Sequence, residues 1–116
     1  MKPLVHAKLS KAKFGGTIDD YLDIHEFLDS SKAHVPDMRH RALLHSSFGI
    51  YIAQEVFGIY RFNSDGANYS VRDICENHVL EDIGFIPIVN DWLEGMELQP
   101  WMLGLNRNFK KMELVD

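Results

Sequence analysis

Between Pro36 and Gly58 the chain runs without a further proline and with high apolar content. Met38, Ala42, His45, Gly49, Ile52 and Val56 recur at helical spacing, and Leu44, Phe48, Tyr51 and Glu55 form an adjoining stripe. Two neighbouring stripes give a wide buried face. The pattern predicts one long central helix, opened by Pro36 in its first turn with Asp37 beside it and closed by Gly58.

Shorter helices are predicted around it. Pro3 to Lys13 carries Val5, Ala7 and Leu9 among lysines and stops at Gly15-Gly16, where glycine permits left-handed backbone. Thr17 reads as an N-cap, with Asp19 and Asp20 in the favourable first turn of a helix running to about Ser30. Ile18, Tyr21, Leu22, His25 and Leu28 share one of its faces. Asp73, with Glu76 three residues on, reads as the start of a helix ending near Gly84. Ile74, Cys75, His78 and Asp82 share a face of that helix. Asn90 reads as the cap of a short helix ending at Gly95, and Pro100, Trp101 and Met102 as a segment tucking an aromatic against the body. Ile59–Phe62 and Tyr69–Val71 flank the turn-rich Asn63–Asn68 and read as a small hairpin.

The expectation is a mainly α single domain over residues 1–116, with four to five helices, one small β-hairpin and a polar C-terminal segment from about 104. Composition agrees: 46% of the 116 residues are hydrophobic, enough for one packed core. A net charge of −5 disfavours general nucleic-acid binding. The basic groups Lys8, Lys11, Lys13 and Arg107, Lys110, Lys111 read as solvated faces. A lone Cys75 forbids an internal disulfide, and no apolar run nears the roughly 20 residues of a membrane helix, so a cytoplasmic protein is expected.

Six histidines, His6, His25, His34, His40, His45 and His78, are the chemical signature. His25, His45 and His78 fall on apolar faces of separate predicted helices, and an inward imidazole must satisfy both nitrogens. Ordinary hydrogen bonds can do this, and so can a metal. His78 and Asp82, four apart, stand one above the other on a helix. With His25 and His45 they form a candidate set for a divalent transition metal, with zinc, iron, manganese and nickel all compatible. Arg39, His40 and Arg41, dense at a helix start, form a candidate anion site, against the plainer reading of Asp37 and Arg41 as a surface pair.

Other constellations carry less. Ser46 and Ser47 follow His45 too closely on a helix for a serine–histidine nucleophilic pair. Cys75 reads as a small core residue. Asn63-Ser64-Asp65-Gly66 lacks the ligand spacing of a calcium loop and reads as a turn. The string His25-Glu26-Phe27-Leu28-Asp29 lacks the second histidine of a zinc-protease helix, and no phosphate-binding glycine motif or organic-cofactor signature is present.

Several strings together resemble a family of small uncharacterised bacterial and phage proteins grouped as a domain of unknown function. They are Lys13-Phe14-Gly15-Gly16, Asp20-Tyr21-Leu22-Asp23-Ile24-His25, Ser31-Lys32-Ala33-His34, Arg39-His40-Arg41-Ala42-Leu43-Leu44-His45, Asn63-Ser64-Asp65-Gly66, Val71-Arg72, Glu76 through Gly84, Ile86-Pro87 and Asp91-Trp92-Leu93. The resemblance implies that His25, His34, His40, His45 and His78 belong to the family pattern, and it implies no activity. A looser resemblance is to the helical HD-type metal phosphohydrolases, with His45 and His78 in matching parts. The adjacent His-Asp pair of those enzymes is absent, since Asp82 lies four residues after His78.

Two functions are therefore expected. One is a metal-binding protein acting as a hydrolase of phosphate esters or nucleotides, with a small phosphorylated ligand held by Arg39, His40 and Arg41. The other is a non-catalytic phage or mobile-element accessory protein that binds a host protein or sequesters a small ligand, using an exposed Trp92 or Trp101.

Overall fold

A computed structural model describes residues 1–104 of the chain. The second basic group, Arg107, Lys110 and Lys111, and the polar segment beyond Gly104 lie outside the described residues. The described chain is mainly helical. In order it forms α1 (Pro3–Phe14), α2 (Asp19–Leu28), 3-10 turns at Ser30–Ala33 and Met38–His40, α3 (Arg41–Leu44), α4 (Ser47–Phe57), β1 (Tyr60–Phe62), β2 (Asn68–Ser70), α5 (Val71–Ile83), α6 (Val89–Leu93) and a last 3-10 turn, Pro100–Leu103. No described helix is long and apolar enough to cross a membrane.

The expected long central helix is broken into α3 and α4. Leu44 ends α3, and Ser46 turns out to φ −155° and ψ 168°. Its hydroxyl then accepts the amide of Gly49, capping α4. Such a cap contributes about 1 kcal/mol. The break resets the helical phase. Gly49, Ile50 and Ala53 face the core, whereas Met38, Phe48, Tyr51 and Val56, which a continuous helix would bury in part, are exposed.

Helix starts also move. Asp20, not Thr17, does the capping: its carboxylate accepts the Thr17 amide at 2.7 Å and the Ser64 amide and hydroxyl at 3.0 and 2.8 Å. This ties the hairpin turn to α2 and holds the Asp20 carboxyl down at about 2, chiefly through the Thr17 amide. Ser70, three residues before the expected Asp73, caps α5. Asp91 accepts the Ile88 amide at the start of α6, in place of the expected Asn90. The hairpin forms as predicted, antiparallel with Tyr60 opposite Ser70 and Phe62 opposite Asn68.

Helices α1, α2 and α4 pack around α5. Tyr21, Ile24, Leu28, Val71, Ile74 and Val79 are fully buried among them, and Phe27 meets Phe57 edge to face at 5.5 Å. The inward face of α1 is unusual: His6, Ala7 and Ser10 are buried, while Leu4, Val5 and Leu9 face out. The expected tuck of Trp101 does not occur, and its side chain is 74% exposed.

Cys75 is fully buried in this core. Burial, aided by the Glu76 charge, pushes its thiol from an ordinary 9.0 up to about 12. It should not react with a disulfide reagent at pH 8 in native protein and should react fully in denaturant. Native reaction at the unfolded rate would contradict this placement. The folded chain keeps the proton that the unfolded chain releases near 9.0, so this contribution is full below that pH and is lost as pH rises towards about 12.

Candidate metal centre

Five of the six histidines sit inside the bundle: His6 on α1, His25 on α2, His40 before α3, His45 at the α3–α4 break and His78 on α5. His34 is exposed in the loop between α2 and α3. Two acids join the buried group, Asp29 just past the end of α2 and Asp82 near the end of α5, each with its side chain nearly sealed from solvent.

Asp29, His45, His78 and Asp82 each offer one ligand atom, all within 4.8 Å of one another. His45 Nε2 lies 2.8 Å from Asp82 Oδ2 and 3.5 Å from Asp29 Oδ1. His78 Nε2 lies 3.2 Å from both of those oxygens. Metal–ligand bonds of about 2.0–2.2 Å place neighbouring ligands about 3.0–3.5 Å apart. The His45 and His78 ring planes cross at 67°, so their in-plane lone pairs can converge on one point. These four residues could hold a metal ion.

His6, His25 and His78 also bring ligand atoms within 4.8 Å, but here two of the rings stack and two share a hydrogen bond. His6 stacks on His78 at 3.7 Å with planes 25° apart, so their lone pairs lie in parallel layers. The His25 and His78 planes are nearly parallel, 19° apart, with Nδ1 2.9 Å from Nδ1. That contact is a hydrogen bond. His25, grouped by its helix face with His45, His78 and Asp82 as a ligand, thus stands behind His78 rather than beside it. His25 Nε2 lies 2.7 Å from Ser10 Oγ. Burial, with the His78 and His6 rings, pushes His25 down to about 3, so the ring is neutral. When His78 Nε2 is bare, its Nδ1–H donates to His25 Nδ1, and His25 donates its Nε2–H to the Ser10 hydroxyl oxygen. This orients His78 as a ligand of a metal must be oriented.

Asp82 is held from both sides. His6 Nε2 approaches its Oδ1 at 3.0 Å, while Oδ2 faces the other ligands. Burial alone would raise this carboxyl, but hydrogen bonds from His45, His6 and His78 outweigh it and hold it far below the usual range. Asp29 shows the same balance, burial against His78, and stays lowered. Burial lowers His45. His78 moves the other way, since Asp29 and Asp82 outweigh its burial and raise it.

Every buried side-chain polar atom without a hydrogen-bond partner among the described residues belongs to this region: Asp29 Oδ2, His40 Nε2, Arg41 Nε and His45 Nδ1. Each such atom costs about 1–3 kcal/mol when left unpaired.

The expected anion group divides. Arg39 is 84% exposed and forks onto Asp37, with Nη2 2.7 Å from Oδ2. His40 turns inward. Arg41 lies beside the cluster, its Nη2 3.6 Å from Asp82 Oδ1. Sequence reasoning assigned no role to Asp29, His6 or Ser10. One signal for Asp29 was present: His25 and Asp29 repeat the four-residue spacing of His78 and Asp82 on the facing helix.

A family model described as Domain of unknown function (DUF6915) matches residues 1–102, so the chain belongs to that family. No curated protein and no solved structure matches it.

Proposed function

We propose that this DUF6915 protein binds a divalent transition metal through Asp29, His45, His78 and Asp82 and uses it to hydrolyse phosphate esters or nucleotides. The observation that carries the reading is the gathering of the orphaned buried polar atoms among the described residues around one ligand cluster of coordination spacing. A protons-only reading explains it less well. His78 Nε2 has two carboxylate partners, Asp29 and Asp82, both at 3.2 Å. One ring proton cannot be given in full to both, whereas a cation among them serves all the contacts. Two carboxylates, Asp29 and Asp82, balance a dication in charge. Arg41, with its unpaired Nε, then supplies the excess positive charge that an anionic phosphate needs. The HD-type resemblance agrees in joining His45 to His78 and Asp82 from another helix. Held by these residues, such an ion would supply Lewis-acid chemistry for phosphate-ester hydrolysis at neutral pH.

Protein purified without a histidine tag should retain or take up close to one equivalent of zinc, iron, manganese or nickel. It should then hydrolyse nitrophenyl phosphate mono- or diesters, or nucleotides. Uptake below about one-tenth of an equivalent, after refolding with each metal in excess, would overturn the reading. Stoichiometric uptake with no turnover would favour the second reading, a non-catalytic accessory protein that binds a host protein. The exposed side chains of Leu98 and Trp101 support that alternative.

A further inference from the structure

The two oxygens of Asp82 face different chemistry. Oδ2 meets His45 Nε2 at 2.8 Å and His78 Nε2 at 3.2 Å, the other ring nitrogens of the centre. Oδ1 meets donors from outside it: His6 Nε2 at 3.0 Å, the Met1 amine at 3.1 Å and Arg41 Nη2 at 3.6 Å. Of these, His6 is the one fully sealed from solvent.

His6 is itself anchored. Its Nδ1 lies 2.6 Å from Glu81 Oε1. Glu81 and Asp82 are consecutive on α5, and consecutive side chains of a helix point about 100° apart. One imidazole from α1 spans the two. Carboxylate oxygens accept, so with both acids ionised both ring nitrogens donate, and His6 keeps no lone pair for an ion. The ring is further held by its stacking on His78 at 3.7 Å. His6 thus stands outside the four-residue group, with its hydrogen bond on the far oxygen of one member.

A carboxylate can give an ion one oxygen or both. Giving both requires that neither be committed elsewhere, and Oδ1 of Asp82 is committed. We propose that His6, anchored by Glu81, is a positioning residue that holds Asp82 to coordination through Oδ2 alone and so biases the centre towards zinc over manganese. The inference rests on the metal reading above and narrows its choice of ion. Zinc is satisfied by four ligands, and Asp29, His45, His78 and Asp82 offer one atom each. Manganese favours six, mainly oxygen, and a second Asp82 oxygen would move the centre towards that number. Nitrogen and oxygen sites in general bind zinc more tightly than manganese, so the informative quantity is the change in the affinity ratio.

Titration with zinc alone and with manganese alone, each against a competing chelator, reads that ratio. His6→Leu should lower zinc affinity about tenfold or more without lowering manganese affinity, so the ratio should fall by the same factor. His6→Gln, whose amide can still donate to Oδ1, should recover most of the ratio. Glu81→Gln, at a partly exposed position, loosens the anchor without disturbing the core and should move the ratio in the same direction as His6→Leu. A role in folding alone would weaken both metals together. A variant-free reading is the crystal structure of zinc-loaded wild type, in which Asp82 Oδ2 should lie about 2.0–2.2 Å from zinc while Oδ1 keeps its hydrogen bond from His6. Both Asp82 oxygens on the zinc, or an unchanged ratio in the folded variants, would overturn this inference and leave the four-residue centre standing. Wild-type protein that binds neither metal would overturn both.

Discussion

Asp82→Asn is expected to weaken metal binding by at least about a hundredfold and to destabilise the metal-free protein by about 3 kcal/mol. Asparagine keeps the shape of aspartate, so packing changes little and the effect isolates the charge. Asp82 Oδ1 meets His6 at 3.0 Å, and Oδ2 meets His45 at 2.8 Å and His78 at 3.2 Å. An amide offers one oxygen in place of two, and its NH₂ group would face an imidazole from which the carboxylate now accepts. Arg41, 3.6 Å away, would lose its nearest anion while remaining mostly buried. Removing one member of a buried ionic group leaves the others uncompensated, which is the expensive way to disrupt it. Calorimetric titration with zinc or manganese reads the first effect, and urea denaturation of metal-free protein the second. An unchanged metal affinity in a folded Asp82→Asn protein would remove Asp82 from the centre.

The members of the candidate ligand group that sequence could identify were those on regular helices. His78 and Asp82 stand one turn apart on α5, and spacing alone put both on the inward face. His45 was identified for an inexact reason: it lay on a stripe of a continuous helix that does not exist, yet it is buried because the chain turns inward at the break. Asp29 follows the last residue of α2, so it has no periodicity to betray it. His6 and Ser10 were hidden differently. The inward edge of α1 is polar because it faces other polar groups, and an apolar-face rule selects Val5 and Leu9, which point to solvent. Where a core is partly ionic, hydrophobic patterning loses its power to tell inside from outside.

Within the fold, the hairpin was legible because Asn63-Ser64-Asp65-Gly66 is a turn by chemistry, and Asn63 does accept the amides of Asp65 and Ala67. The α3–α4 break was not. Residues 38–57 contain no proline, and Ser46 and Gly49 are both tolerated inside helices. The decision to break is made by packing. A Cβ placed on Gly49 would lie 2.0 Å from the Leu44 carbonyl oxygen and 2.4 Å from its carbonyl carbon. Glycine at 49 is what allows α3 to end directly against the first turn of α4.

Gly49→Ala therefore sets two magnitudes against each other. Gly49 lies within α4 and takes no positive φ, so helix propensity alone favours alanine by about 1 kcal/mol. The overlap with Leu44 opposes it. The obstructing atoms are backbone, so no side-chain rotation relieves them, and overpacking of this kind costs about 3 kcal/mol or more. The net expectation is a loss of about 2 kcal/mol or more, read as a lower urea midpoint with an unchanged slope. The site should suffer with the fold. His45 lies between Leu44 and the Ser46 cap, and its carbonyl is held by the Trp92 indole at 2.9 Å. Any shift that makes room for the methyl group moves His45 Nε2 away from Asp29 and Asp82, so metal affinity should fall about tenfold or more even in the folded fraction. Gly49→Ala that is as stable as wild type would mean that the two helices join with more room than the Leu44 contact allows, and that a continuous helix through His45 is within the chain's reach.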